Sequence, residues 1–333
     1  MIGTKIMGKR IALVYLGRRG GGARLTRDLS MSLSHRGSLV TSIVRRECEF
    51  LQQISGGLHT NALPNSSWKL FNPWLRHSIC KSILDFFDND DFDYVVFVMS
   101  HPWNPYLLKK LAKRQLRTVA IIHDDGAHKG EFWPTRGHLR REIDFAQTTV
   151  FLSQYVADKF PEVINPKIFS LEALPLIANG PKVKRVLIAG RIRKYKGIEK
   201  ILPFLESVPE GFEIMIAGQG PTSKIRGLEG RIKLINSWIE ATEFERLIME
   251  STHVLLPYIE ATQSGIISIA KLYNCHLIVT EVGGLGEQLA NYEYWSLIRH
   301  DGQNITSILN ESSNKELLKN GSGKSILDIA KYI

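Results

Sequence analysis

Three strand-like runs in the second half of the chain end in residues suited to holding a phosphate. The stretch Val186–Gly197, VLIAGRIRKYKG, is an apolar run that stops at Gly190 and is followed by two cations five residues apart, Arg191 and Lys196. A second run, Ile214–Gly220 (IMIAGQG), stops at Gly218, and a third opens into PYIEATQSG at Pro257–Gly265. Strands of a parallel sheet present ligands at their carboxyl ends, where glycine lets backbone come close to a phosphate. Two fixed cations beside a helix N-terminus suit a diphosphate. Gln263, Ser264 and Gly265 supply that terminus. Ser264 is placed to cap a helix beginning near Gly265, whose free N–H groups suit phosphate oxygens. Arg193 and Lys194 read as solvated loop cations.

The first half carries a different chemistry. AIIHDDGAHKGE at Ala120–Glu131 ends an apolar run with His123, Asp124 and His128, and with Asp125 and Glu131 among them. Acid–base side chains gathered at a sheet edge are candidates for orienting or deprotonating a hydroxyl. Their spacing is not that of the H-E-x-x-H zinc motif, and no metal site is expected. A glycine cluster, GRRGGGARLTRDLSMSLSHRG at Gly17–Gly37, follows the first strand and opens a helix, with Gly21 and Gly22 at the turn. It is not G-x-G-x-x-G, so a dinucleotide fingerprint is unsupported, and AGQGPTS puts Ser223 where that fingerprint ends in glycine. GSGKS at Gly321–Ser325 has Leu318 where a Walker loop needs glycine, and no strand precedes it.

Elements must hold these residues in place, and the pattern supplies them. Apolar runs sit at IALVYL, LVTSIV, YVVFVM, TVAIIH, TTVFLS and IFSLEAL in the first half, and at RVLIAG, EIMIAG, IKLIN, HVLLPY and HLIVT in the second. Amphipathic stretches lie between them, including Arg24–His35, Asn104–Lys113, Gly197–Ser207, Ala241–Ser251, Gly265–Asn274 and Gly284–Ala290. Short apolar strands alternating with helices predict an α/β protein with parallel sheets covered on both faces. At 333 residues the chain is comfortable for two cores. The Pro, Gly and Asn residues of Leu174–Lys184 mark the junction. This gives a first domain at 1–176, a second at 177–324 and a closing helix at 325–333.

The net charge of +10 is lopsided: residues 1–175 hold 24 Lys and Arg against 16 Asp and Glu, the remainder 19 against 17. A basic half points to an anionic partner or to a solvated basic surface. No helix-turn-helix, zinc or RNP signature supports nucleic acid as that partner. Ser67–Phe87 mixes Trp68, Lys69, Phe71, Trp74, Arg76 and Lys81, a composition suited to an anionic membrane face. The same stretch carries a core-facing stripe at Ile79, Ile83, Leu84 and Phe87. No run approaches the roughly 18 apolar residues of a membrane span. Arg10–Leu16 reads as a strand because RRGGGARLTRD follows it without a cleavage pattern. Cys48, Cys80 and Cys275 are odd in number and lack CxxC spacing, which favours a reducing, cytoplasmic setting.

The order of these motifs resembles the retaining, family 4-like glycosyltransferases of the two-Rossmann (GT-B) architecture. The GR….KG element of Gly190–Gly197 resembles that family's donor clamp. PY..ATQSG and HD….H.GE resemble a subgroup of it, and the glycine cluster resembles its GG…rG opening. The resemblance implies two Rossmann-like, doubly wound domains facing a cleft, with the last helix returning to the first domain. It implies that Arg191 and Lys196 hold the diphosphate of a UDP- or GDP-sugar. Gly190, Gly218 and Thr262–Gly265 would line that donor site, and Gly21 and Gly22 would reach the cleft. His123, Asp124 and His128 would face the acceptor, a glycan or lipid-linked glycan hydroxyl. Enzymes of the family pair two glutamates eight residues apart in the donor loop, which makes Glu260 a candidate catalytic carboxylate beside His123, Asp124 and His128. Here counting from Glu260 lands on Ser268, and aligning on Gly265 places Thr262 and Ala270 at the two positions. The implied function is retaining sugar transfer without metal or other cofactor, in cell-envelope polysaccharide synthesis, by a cytoplasmic protein peripheral to the inner membrane face. The alternative is a non-transferase on the same fold, a sugar-nucleotide epimerase or an inactive subunit.

Overall fold

The computed structural model describes residues 7–54, 56, 57, 59, 60, 72–223, 225 and 230–313. The expected closing helix at 325–333, GSGKS, Trp68, Lys69 and Phe71 lie outside the described residues. The chain divides into two compact units, residues up to Ala127 with Phe132–Ser170, and His128–Glu131 with the residues from Leu171.

The first unit runs β1 (Arg10–Tyr15), α1 (Gly21–His35), β2 (Leu39–Arg45), β3 (His59–Thr60), α2 (Pro73–Asp88), β4 (Tyr94–Phe97) and α3 (Asn104–Ala112). It continues through β5 (Thr118–Ile122), α4 (Arg136–Phe145), β6 (Thr148–Phe151), α5 (Gln154–Ala157) and β7 (Lys167–Ile168). All its strands are parallel, in the order β3-β2-β1-β4-β5-β6-β7. The second unit runs β8 (Val183–Ala189), α6 (Ile198–Leu205), β9 (Glu213–Ala217), β10 (Ile232–Ile235), α7 (Ala241–Glu250) and β11 (Ser251–Leu256). After these come α8 (Gly265–Leu272), β12 (His276–Val279), α9 (Leu285–Leu289), β13 (Trp295–Leu297) and α10 (Ile305–Ser313). Its sheet, also parallel, is ordered β10-β9-β8-β11-β12-β13. In each unit the strand order reverses beside the first strand, at β1/β4 and at β8/β11. A doubly wound sheet opens its ligand crevice at such a point.

The apolar runs are continuous because both faces of each central strand are covered. In β8, Val186 and Ile188 enter one core with Ile214, Ile216 and Leu255. Leu187 and Ala189 point the other way, into a core with Met215, Val254 and Leu256. This is the two-residue period of a strand buried on both sides. Helix α6 buries Ile198, Ile201, Leu202 and Leu205, a single stripe at helical spacing. Helix α2 buries Ile79, Ile83, Leu84 and Phe87 as its spacing predicts, while Trp74 at its start is 85% exposed. The three cysteines are buried and unpaired.

Two expectations about organisation differ from what is seen. IFSLEAL is a strand only at Lys167–Ile168, because β7 is an edge strand paired on one side and Ser170 beyond it is exposed. The units divide at Ser170/Leu171, earlier than the Pro/Gly-rich stretch. The Leu176 N–H donates to Glu245 Oε1 (2.8 Å), and Tyr273 Oη donates to the Ile177 carbonyl (2.9 Å), tying this segment to α7 and to the end of α8.

Candidate functional site

The residues after β8 and β11 form one built site at the reversal point of the second unit. Close backbone approach requires its glycines. A Cβ on Gly218 would lie 2.0 Å from the Gly190 carbonyl oxygen, and one on Gly197 would lie 1.9 Å from that of Pro257. Gly197 also sits at φ +70°, the left-handed region that favours glycine. It closes a 3₁₀ turn at Lys194–Lys196, and the Ile259 N–H donates to the Tyr195 carbonyl at 2.8 Å. The turn therefore presses Lys196 against the loop after β11. There the Lys196 ammonium donates to Tyr258 Oη and lies 3.9 Å from the centroid of the Tyr258 ring. Burial pushes the Lys196 ammonium down to about 8, so a buried cation near its titration point sits at the sheet edge. Arg191 is half exposed.

The loop Pro257–Gly265 leads into α8. Ser264 occupies the N-cap position but makes no side-chain cap. This corrects the expected capping role. Its hydroxyl is engaged instead with Tyr258 Oη (3.2 Å), and its backbone is fixed by Gln288, which accepts from the Ser264 N–H (2.7 Å) and donates to the Ser264 carbonyl (3.3 Å). The first turn of α8 contains no acidic residue; its Ile267 N–H turns back to the Ser264 carbonyl (3.1 Å), and the N–H groups of Gly265 and Ile266 precede the first intrahelical acceptor. Thr262 is buried, and Gln263 Oε1 is buried without a hydrogen-bond partner among the described residues. Neither register yields a second carboxylate: the Ser268 hydroxyl donates to the Gly265 carbonyl (2.8 Å), and Ala270 lies in the core.

His128 departs from its expected place with the first-half residues. The segment His128–Glu131 goes with the second unit, where the His128 ring stacks on Tyr195 (centroids 4.6 Å apart, 20° between planes). Its Nδ1 lies 3.4 Å from Glu260 Oε1, so two residues from distant parts of the sequence form one imidazole–carboxylate pair. The turn is closed by the Glu131 N–H donating to the His128 carbonyl at 2.8 Å, and the Glu131 carboxylate faces Arg191 and Arg193. Stacking on Tyr195 and charge on the two arginines give the segment its place. Arg193, expected to be a solvated cation, shares this carboxylate.

In the first unit, His123 and Asp124 follow β5 directly. His123 is buried, its Nε2–H donates to the Val98 carbonyl (2.8 Å), and burial lowers its pKa, which leaves a neutral ring. Gly20 and Gly21 open α1, and Gly22 is closely packed: a Cβ there would lie 2.6 Å from the Tyr15 ring and 2.7 Å from Met99 Sδ, so these side chains would have to shift. A polar cluster that the motifs did not reveal lies beyond β4. The buried Glu142 carboxylate accepts from Ser100 Oγ (2.8 Å), the His101 N–H (3.1 Å) and His138 Nε2 (2.9 Å). Burial, with His138 and Arg45 nearby, pushes the His101 imidazole down to about 3. The readable signal was His138 and Glu142, four apart on one helix face, a spacing that brings side chains together. Among the described residues, no group of three or more His, Cys, Asp or Glu is arranged to hold a metal ion.

The α/β, doubly wound GT-B fold is shared with solved structures over nearly the whole chain. Sucrose-phosphate synthase from Thermosynechococcus elongatus is similar with a TM-score of 0.70 at 15% identity, covering 92% of this chain and 90% of that one. The Anabaena HepE protein in complex with UDP and glucose gives 0.67 at 14% identity, with 92% and 90% covered. The UDP-GlcNAc 2-epimerase from Neisseria meningitidis bound to UDP-GlcNAc gives 0.62 at 15% identity, with 97% and 98% covered. No family profile matches the chain, and no curated protein matches it by sequence.

Proposed function

We propose that the protein is a nucleotide-sugar-dependent glycosyltransferase whose second unit holds the donor. The observation that carries the reading is the meeting, at the β8/β11 reversal point, of Arg191, the buried Lys196 and the uncapped N-terminus of α8. Cleaving a sugar–phosphate bond leaves a diphosphate, and preorganised positive charge aimed at that leaving group is the main electrostatic requirement. In this reading Arg191, Lys196 and the α8 N–H groups supply that charge without metal. Gly190 and Gly218 let backbone approach the phosphates, and Thr262 and Gln263 face the sugar. The donor is a UDP- or GDP-sugar, and neighbours of the same fold are described in complex with UDP, UDP-glucose and UDP-GlcNAc.

The acceptor is a glycan or lipid-linked glycan hydroxyl, transfer retains anomeric configuration, and the first unit serves the acceptor through His123 and Asp124. The basic first half and the exposed Trp74 suit an anionic membrane face, in keeping with cell-envelope polysaccharide synthesis. Among the described residues no helix is long and apolar enough to cross a membrane. A second reading, a sugar-nucleotide epimerase, draws on the epimerase neighbours and on the His128–Glu260 pair lying in the same unit as the clamp. The two readings separate in one assay: a transferase releases nucleoside diphosphate when acceptor is added, whereas an epimerase converts the nucleotide-sugar with the diphosphate still attached. A panel of UDP-, GDP-, ADP- and dTDP-sugars followed by thermal shift identifies the donor, because a ligand of the folded state raises the unfolding midpoint by mass action. No shift with any of them would count against the reading.

A further inference from the structure

We propose that Glu131 is a charge-selecting residue of the diphosphate site, favouring the nucleotide-sugar over the nucleoside diphosphate that transfer leaves behind. The inference rests on the reading of Arg191 as a diphosphate clamp. The Glu131 carboxylate lies 3.7 Å from Arg191 Nη2 and 3.9 Å from Arg193 Nε. Both separations exceed hydrogen-bonding length, so the carboxylate lends its charge to the clamp without consuming a guanidinium donor. Its field also reaches Lys196, whose charged form it favours. The position is built: the turn is closed from Glu131 to the His128 carbonyl, and His128 is stacked on Tyr195. The Glu131 side chain is only 24% exposed.

A fixed negative charge beside a phosphate site penalises ligands in proportion to their charge. The terminal phosphate of a free nucleoside diphosphate takes on its second charge above pH about 6. Esterified to a sugar, the same phosphate carries one. At pH 7, where Lys196 is still charged, the product is therefore nearly one charge more negative than the donor, and Glu131 weakens the product more. The consequence is faster product release and weaker product inhibition at a clamp that needs its cations for the chemistry.

The test is calorimetric titration at pH 7, where Lys196 keeps its charge with or without Glu131, and at low salt, of wild type, Glu131→Gln and Glu131→Asp, using the pairs UDP with UDP-glucose and GDP with GDP-mannose. For the pair that binds, Glu131→Gln should tighten the diphosphate by about twofold to fivefold, the range of partly exposed charge pairs, and the nucleotide-sugar by less. Glu131→Asp, which keeps the charge, should stay near the wild-type ratio. Adding Arg191→Ala to Glu131→Gln should remove the gain, and high salt should shrink it. A gain of affinity also separates this role from a structural one, since a damaged site binds more weakly. Equal tightening of both ligands, or no change while binding persists, would overturn the inference and leave the clamp standing. Absence of binding by either pair to any variant would remove the clamp reading, and the inference with it.

Discussion

Lys196 is the residue on which the donor site turns, because it is a buried cation whose nearest partners are an aromatic ring and a phenol. Burial has already brought it down to about 8. Its charge is thus present below that pH and lost above it, and a diphosphate that binds the ammonium should restore the proton. Nucleoside diphosphate affinity is expected to fall as pH rises from about 7.5 to 9, with proton uptake on binding at the upper end, measured by calorimetry in buffers of different ionisation enthalpy. Lys196→Ala and Arg191→Ala should each cost roughly 1.5–3 kcal/mol of diphosphate binding, the worth of a charge-assisted contact. That Arg191 and Lys196 both follow the end of one buried strand was legible in the sequence. What was not legible was that His128 would join Glu260, because sequence distance says nothing of which turn folds back onto which loop. Ser264 misled for a related reason. Its type and position fit a cap, but a neighbouring phenol competed for its hydroxyl.

Among the elements, the turn at Lys194–Gly197 and the hub at Glu142 are the most exposed to a single change. Gly197→Ala would place a Cβ 1.9 Å from a backbone oxygen at a left-handed φ. It is expected to destabilise by about 1–3 kcal/mol and to weaken nucleotide binding along with stability, read by denaturant titration beside calorimetry. Glu142→Ala would leave the Ser100 hydroxyl and the His101 N–H without this acceptor and His138 with the His101 carbonyl alone (3.1 Å), at a cost on the order of 3 kcal/mol. Nucleotide binding should survive that change under native conditions, because the hub belongs to the other unit. The strands were readable because β5, β11 and β12 are buried on both faces and their apolar runs are unbroken. The edge elements were not. β3 has two residues and β13 three, and pairing on one side only asks little of the sequence.

For the whole molecule, acid should be the sharpest stress. His101 in the first unit and His253 in the second are both pushed down to about 3, each chiefly by burial, so both are neutral in the folded protein where the unfolded chain would protonate them. Between pH about 6.5 and 3 the unfolded state binds more protons, and stability falls as pH drops through that window. Denaturant titrations at pH 7.5, 6 and 5 should show the loss, and His253→Gln should flatten it. The lopsided charge predicts sedimentation with anionic but not neutral vesicles at low salt, weakened by Trp74→Ser and reversed by high salt. Fold class followed from alternating strands and helices, since that pattern admits few packings. The acceptor does not follow from fold, because a fold hosts many chemistries. The central claim, that the β8/β11 edge binds the diphosphate of a nucleotide-sugar, is tested most directly by titrating UDP and GDP into wild type, Arg191→Ala, Lys196→Ala and His123→Ala. The account predicts binding of one nucleotide to wild type and His123→Ala, and a loss of about tenfold or more in each clamp variant. Undiminished binding in both clamp variants, or binding abolished by His123→Ala alone, would contradict it.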